Sequence, residues 1–210
     1  MRPQIKMTKK EIIIESAIKL FSNKGFEGTS VREIAADAGV NVAMINYYFE
    51  SKEKLFESVV EYRTSFLKGI FAELVNNKDL SPIEKIDIII DQTIERKFSN
   101  SQFHHLLHRE LSLDHRPQLR DAISNILLRN IDSVKTIIRN GIKDGVFQPV
   151  DIELTLATML GTIHYLLTSD MMCQKILGKK KGFVAFQNKQ LKQRLSEHTK
   201  KLMRSHLLKK

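Results

Sequence analysis

The chain has 210 residues, 42% of them hydrophobic, with nine glycines and four prolines, which suits one or two small all-helical domains with a real buried core. Its one cysteine, Cys173, excludes an intramolecular disulfide and a thiolate metal cage. With no charged-then-apolar leader ahead of the first helical pattern, the expected compartment is a reducing cytoplasm. The net charge of +10 divides into +2 over residues 1–55, −3 over residues 56–174 and +11 over residues 175–210. The basic excess, with Lys179, Lys180, Lys181 and a lysine-rich last helix, reads first as solvated surface, the alternatives being long-range attraction to DNA or to an acidic partner.

A first helix runs from Ile12 to Lys24, and the stretch Thr29 to Leu55, TSVREIAADAGVNVAMINYYFESKEKL, then encodes two short helices around a glycine turn and the start of a third. Ser30 and Glu33 have the spacing of a capping box, and Ile34, Ala35 and Ala38 give a narrow apolar face. Gly39 supplies the left-handed conformation that ends the helix. Asn41 is an N-cap for the second helix, Val42 to Tyr48, with Val40 and Ile45 placed as a hydrophobic staple. Two helices joined by so short a turn are the arrangement in which the second enters a DNA major groove, although an ordinary helical hairpin has the same spacing.

The second helix favours the DNA reading because it lacks the charges of a solvated surface. Asn41, Val42, Ala43, Met44 and Asn46 suit close approach, contact with thymine methyls and amide hydrogen bonds to base edges. Tyr47 and Tyr48 carry hydroxyls for phosphates, and Lys52, in the first turn of a helix begun by Ser51, adds a cation to the N-terminal dipole. Phe49 reads as core.

On the segments ESAIKLFSNKGFEGTS, VREIAADAGV and NYYFESKEKLF, about the first sixty residues, the chain resembles the tetracycline-repressor (TetR) family of bacterial transcription regulators. The resemblance implies base-edge contacts from the Val42, Ala43, Met44 region and phosphate contacts from Ser30, Tyr47, Tyr48 and Lys52, with Thr29 beside them in the DNA-facing set. Where the family usually has a tyrosine after the aliphatic residue at Ile45, this chain has Asn46, a plausible base reader in place of a phosphate clamp.

Helical period continues to the end of the chain. Ser51 starts a long helix with Leu55, Val59, Tyr62, Phe66 and Ile70 on one face, a candidate connecting rod. Ser81, Pro82 and Glu84 open a helix with Ile83, Ile86, Ile90 and Ile94, and a shorter helix lies near Gln102 to Leu113. Pro117 opens another, which Gly141 and Gly145 bring to an end. Asp151 caps a helix whose apolar residues, among them Leu154, Leu156, Met159, Leu160, Ile163 and Leu167, occupy more than one face. The last helix offers Val184, Leu191, Leu195, His198 and Leu202 as a partner stripe. A helix apolar on two sides is buried on two sides, here either as the central core helix of a monomer or between chains. The resemblance implies the latter, a homodimer formed by the last two helices, with Leu156, Leu160, Leu167, Leu191, Leu195 and Leu202 at the interface.

The expected fold is all-α: an N-terminal three-helix DNA-binding unit with a helix-turn-helix, residues 1–55, and a C-terminal helical effector-binding and dimerisation domain, residues 56–210. The resemblance also implies a small-molecule effector pocket among the middle helices. Tyr62, Phe66, Phe103, Leu107, Met159 and Ile163 are its candidate apolar walls, and His104 and His108 its candidate polar contacts. His104 and His108, with Glu110 and His115 nearby, also invite a metal reading, but the HExxH pattern and a third ligand on that helix face are absent. No cofactor is expected. A helical hydrolase built on His104, His108, Glu110 and Asp114 would leave the Thr29 to Leu55 stretch unexplained, and a structural interaction protein would leave its uncharged helix unexplained. The longest uncharged run, Leu154 to Ser169, has 16 residues, short of the roughly 20 apolar residues of a spanning helix, so no membrane segment is expected.

Overall fold

The structure, a computed structural model, describes residues 7–112 and 116–209, and among these it contains ten α-helices, one 3₁₀ turn and no strand. In chain order the helices are α1 (Lys9–Lys24), α2 (Val31–Asp37), α3 (Val42–Phe49), α4 (Lys52–Asn76) and α5 (Pro82–Ser99). They continue with α6 (Ser101–Ser112), α7 (Pro117–Lys143), α8 (Ile152–Thr168), α9 (Asp170–Ile176) and α10 (Lys189–Leu207), the 3₁₀ turn being Ala185–Gln187. The chain divides into two compact units: one holds the chain up to Phe66 together with Gln102–Leu127, the other Leu67–Ser101 with Leu128–Lys210.

The core of the first unit is organised around three fully buried rings. Phe21 lies 5.5 Å from Phe26 in a stacked pair, and Phe56 meets both edge-on at 5.2 and 5.3 Å. These rings come from α1, the α1–α2 turn and α4, so one cluster fixes the platform on which α2 and α3 rest; Ile34, Ile45 and Phe49 complete it. Phe49 is core, as its sequence position indicated.

In the second unit the isoleucine stripe of α5 is buried, with Ile86, Ile89, Ile90 and Ile94 in one core with Met159 and Ile163 of α8 and Met203 and Leu207 of α10. Beside that stripe α5 carries acids at four-residue spacing, and α10 answers with Lys192, Lys200 and Arg204, Ser196 standing in the gap between the two lysines. Asp87 pairs with Arg204, Asp91 with Lys200 and with Ser196, and Glu95 with Lys192. Part of the C-terminal basicity read as solvated is therefore neutralised within the chain.

Two further expectations change, and one short helix, α9, was not anticipated. Gly141 lies inside α7 and does not end it; a Cβ there would stand 2.4 Å from the ring of Phe147, whereas Gly145, at φ +72°, makes the turn. The helix begun by Asp151 stops at Thr168, and Ser169 caps the separate α9 by accepting from Met172 N. Val184 lies before the last helix and is not part of it.

Candidate nucleic-acid interface

The two short helices are fixed by the local bonds their sequence announces. Glu33 N donates to Ser30 Oγ at 3.2 Å, and Ser30 N donates back to Glu33 Oε2 at 2.8 Å, which closes the capping box of α2. Lys24 Nζ meets Glu33 Oε1 at 2.6 Å, and this bond, followed by those from Ser30, holds the Glu33 carboxyl down at about 2. Gly39 sits at φ +63° just past α2, where Val40 N bonds back to Ala35 O at 3.0 Å. Met44 N donates to Asn41 Oδ1 at 2.8 Å and caps α3.

α3 exposes Asn41, Ala43, Asn46 and Tyr47, the last 83% accessible, and contains no charged residue from Val42 to Phe49. Tyr48 is also exposed, with its ring 5.3 Å from that of Tyr47. Val42 and Met44 are half-buried and lean on the first core. Ser30 is exposed at the start of α2.

Thr29 is placed differently from the sequence-based expectation. It is 1% exposed, and its hydroxyl donates to Gly25 O at 2.8 Å and Leu20 O at 3.2 Å. Its side chain is engaged in holding the α1–α2 corner and is withdrawn from the surface.

Lys52 is half-buried, with its Nζ 4.3 Å from the centroid of the Phe26 ring. The Arg116 guanidinium lies over the same ring at 4.2 Å and reaches Glu27 at 3.0 Å and Glu110 at 2.5 Å. This cluster was not anticipated, since an arginine just before a proline-marked helix start gives no sign of reaching a distant phenylalanine.

Residues 13–59 match the family model for bacterial regulatory proteins of the tetR family. Over 140 residues the chain is 35% identical to the probable HTH-type transcriptional regulator YttP of Bacillus subtilis (strain 168), covering 66% of this chain and 67% of that one. The chain belongs to the TetR family. It is likewise 31% identical over 159 residues to the HTH-type transcriptional regulator RutR of Escherichia coli (strain K12), covering 75% and 73% of the two chains. The fold of this TetR-family protein is shared with solved structures. FadR from Bacillus subtilis, solved in complex with stearoyl-CoA, matches with a TM-score of 0.75 at 23% identity over 92% of this chain and 96% of that one. HlyIIR, a hemolysin II transcriptional regulator, matches at 0.62 and 23% identity over 96% and 98%. The protein is thus a helix-turn-helix transcriptional regulator, in which α2 and α3 are the helix-turn-helix.

The residues expected to line an effector pocket are divided between the two units of this TetR-family regulator. Phe103 and Leu107 are buried in the first core, Tyr62, His104 and His108 are half-buried, and Phe66 is 57% exposed. Met159 and Ile163 are buried in the second core. Among the described residues no three histidine, cysteine or acidic side chains stand together as a metal site; Leu113, Asp114 and His115 lie outside the described residues. No helix among them is long and apolar enough to cross a membrane.

Four of the six leucines expected at a dimer interface serve another purpose. Leu156, Leu167, Leu191 and Leu195 are buried in the second core of the single chain, while Leu160 and Leu202 are half-buried. The face of α8 left to solvent is instead Leu154, Ala157, Thr158, Gly161 and Tyr165, with Leu154 66% and Tyr165 57% exposed. Beside it a groove of about 400 Å³ runs between α8, α9 and α10, lined by Thr162, Tyr165, Ile176, Arg194 and His198 among others.

Proposed function

We propose that this regulator is a homodimeric repressor that binds a palindromic operator and is released from it by a small-molecule effector. The observation that carries the reading is the outer face of α3: exposed, uncharged and fixed at its start by the Asn41 cap. Such a face loses little solvation when pressed into a groove and offers amide and methyl groups to base edges. Residues 1–55 form the DNA-binding unit, with Asn41, Val42, Ala43, Met44 and Asn46 toward bases and Ser30, Tyr47, Tyr48 and Lys52 toward phosphates. A repressor role has support from a relative. The chain is 35% identical over 72 residues to the negative transcriptional regulator IcaR of Staphylococcus aureus (strain Newman), spanning 39% of that protein.

Residues 56–210 hold the effector and join two copies. The exposed stripe of α8 supports the dimer, because a monomer would leave Leu154 and Tyr165 in water without compensation. Two-fold symmetry then places two copies of α3 on half-sites one helical turn, or a multiple of it, apart. An effector that binds better to the conformation with mis-spaced α3 helices shifts the population off DNA, and DNA weakens effector binding by the same factor. The FadR structure, in complex with stearoyl-CoA, shows that this fold elsewhere accommodates a small molecule. A repressor follows because a dimer seated on a promoter excludes polymerase without further machinery.

Selection of genomic fragments by the purified protein at moderate salt, followed by footprinting, tests the proposal. The expected result is a protected site with two inverted half-sites. No enrichment over non-specific fragments overturns DNA recognition by α3, and a single protected half-site overturns the dimer.

A further inference from the structure

The apolar stripe of α5 that runs through Ile83, Ile86, Ile90 and Ile94 would be continued by residue 97, and that residue is a lysine. Lys97 Nζ lies 3.3 Å from Nδ1 of His164 on α8, and both side chains are half-buried. The acids of α5 are directed elsewhere. Asp87, Asp91 and Glu95 pair with Arg204, Lys200 and Lys192 of α10, and Glu84 closes its capping box with Ser81. On α8, Glu153 pairs with Lys135, and from Leu154 to Ser169 the chain has no charged residue at all. Among the described residues, therefore, no carboxylate forms an ion pair with Lys97. Burial alone pulls its ammonium group down to about 8.

A cation taken out of water without a counter-charge destabilises the protein, and the cost is removed when an anion arrives. His164 accepts at most one of the three ammonium hydrogens, which leaves the others for that anion. The surroundings are apolar on both helices: Ile94 is one turn back on α5, while Leu160 and Leu167 flank His164 one turn away on either side.

We propose that Lys97 is the anion-binding residue of the effector site, with His164 as its positioning residue, and that the effector is an amphiphile with one carboxylate or phosphate group on an apolar body. Lys97 donates a charge-assisted hydrogen bond to the headgroup, and the apolar part lies against the half-buried Leu160 beside His164. This inference rests on the effector-responsive reading above and narrows the chemical class of the effector.

The test is calorimetric titration of the full-length protein with decanoate, decyl phosphate and decanol, which share a tail and differ in headgroup. In the unmodified protein at least one of the two anions binds about tenfold or more tightly than decanol, and the preferred one identifies the headgroup. Lys97→Met, which keeps the volume and removes the charge, abolishes that advantage, and Lys97→Arg retains part of it; thermal unfolding of both variants establishes that they are folded. No binding of any of the three, equal binding of decanol, or an undiminished advantage in Lys97→Met overturns the proposal. Operator occupancy is measured in parallel. Lys97-dependent anion binding that leaves occupancy unchanged supports this site and overturns only effector release as the regulatory mechanism.

Discussion

Arg116 donates through Nη2 to Oε2 of Glu110 at 2.5 Å, and the Glu110 side chain retains only 2% of its exposure. The same guanidinium meets Glu27 and covers the Phe26 ring, so the start of α7 is tied to the α1–α2 corner beneath the helix-turn-helix. Removing one partner of a buried pair leaves the other charge without compensation, which typically costs about 3 kcal/mol. Glu110→Gln is therefore expected to lower the unfolding temperature by roughly 6–12 °C for a chain of this size. Thermal unfolding followed by circular dichroism measures the shift and chemical denaturation the free energy, and a loss under about 1 kcal/mol shows that Glu27 alone satisfies Arg116.

Gly141→Ala sets two effects against each other. Alanine is the better helix former by about 1 kcal/mol, but its Cβ would stand 2.4 Å from the Phe147 ring, which is 1% exposed and has no room to retreat. Overpacking of this kind costs about 1–3 kcal/mol, so the clash wins and the variant is less stable. A variant more stable than the parent would mean that the turn carrying Phe147 shifts freely.

The capping boxes make stability depend on acid. Hydrogen bonds from Lys24, then from Ser30, hold the Glu33 carboxyl at about 2, below its ordinary 4.5, and Glu11 and Glu84 are lowered in the same direction by Thr8 and Ser81. A folded-state value below the unfolded one gives stability that is present above about 4.5 and lost as pH falls toward 2. The difference in unfolding temperature between the parent and Glu33→Gln is expected to narrow steadily over that interval. A difference that stays constant would assign the contribution of Glu33 to its amide-compatible hydrogen bonds alone.

Positioning and reading residues separate by salt and by sequence. Lys52→Ala is expected to weaken binding to all DNA alike and to reduce the magnitude of the salt slope by about one. Asn46→Ala or Met44→Ala alters preference at particular base pairs by about 1–3 kcal/mol each. Binding arrays at two salt concentrations distinguish the two patterns, and a uniform loss in all three variants removes Asn46 and Met44 from the readers.

What was legible in the sequence was local. Ser30, Glu33, Gly39 and Asn41 each act within four residues of themselves, so their chemistry and spacing determine their roles, and α2 and α3 follow. Thr29 was not legible, because a threonine hydroxyl beside a helix start serves the surface and the α1–α2 corner equally well until the corner is built. Leu156, Leu167, Leu191 and Leu195 failed for a related reason: a helix apolar on several sides does not say which side meets its own chain. Gly141 read as a stop because Phe147, which needs the space, lies six positions further on. Lys97 left a trace, a cation where an isoleucine stripe would continue, but its meaning required the empty row of α8 opposite.

The ladder between α5 and α10 has a bearing on alignment more than on strength. Exposed ion pairs contribute about 0–1 kcal/mol each, so three of them add little to stability. The acids of α5 are evenly spaced while the bases of α10 are not, Ser196 standing between Lys192 and Lys200, so a slip of α10 by one turn would break the match of acid to base along the row. The pairs therefore act as a vernier that fixes where the last helix comes to rest, and with it the face that α10 turns toward α8 and the groove beside Tyr165.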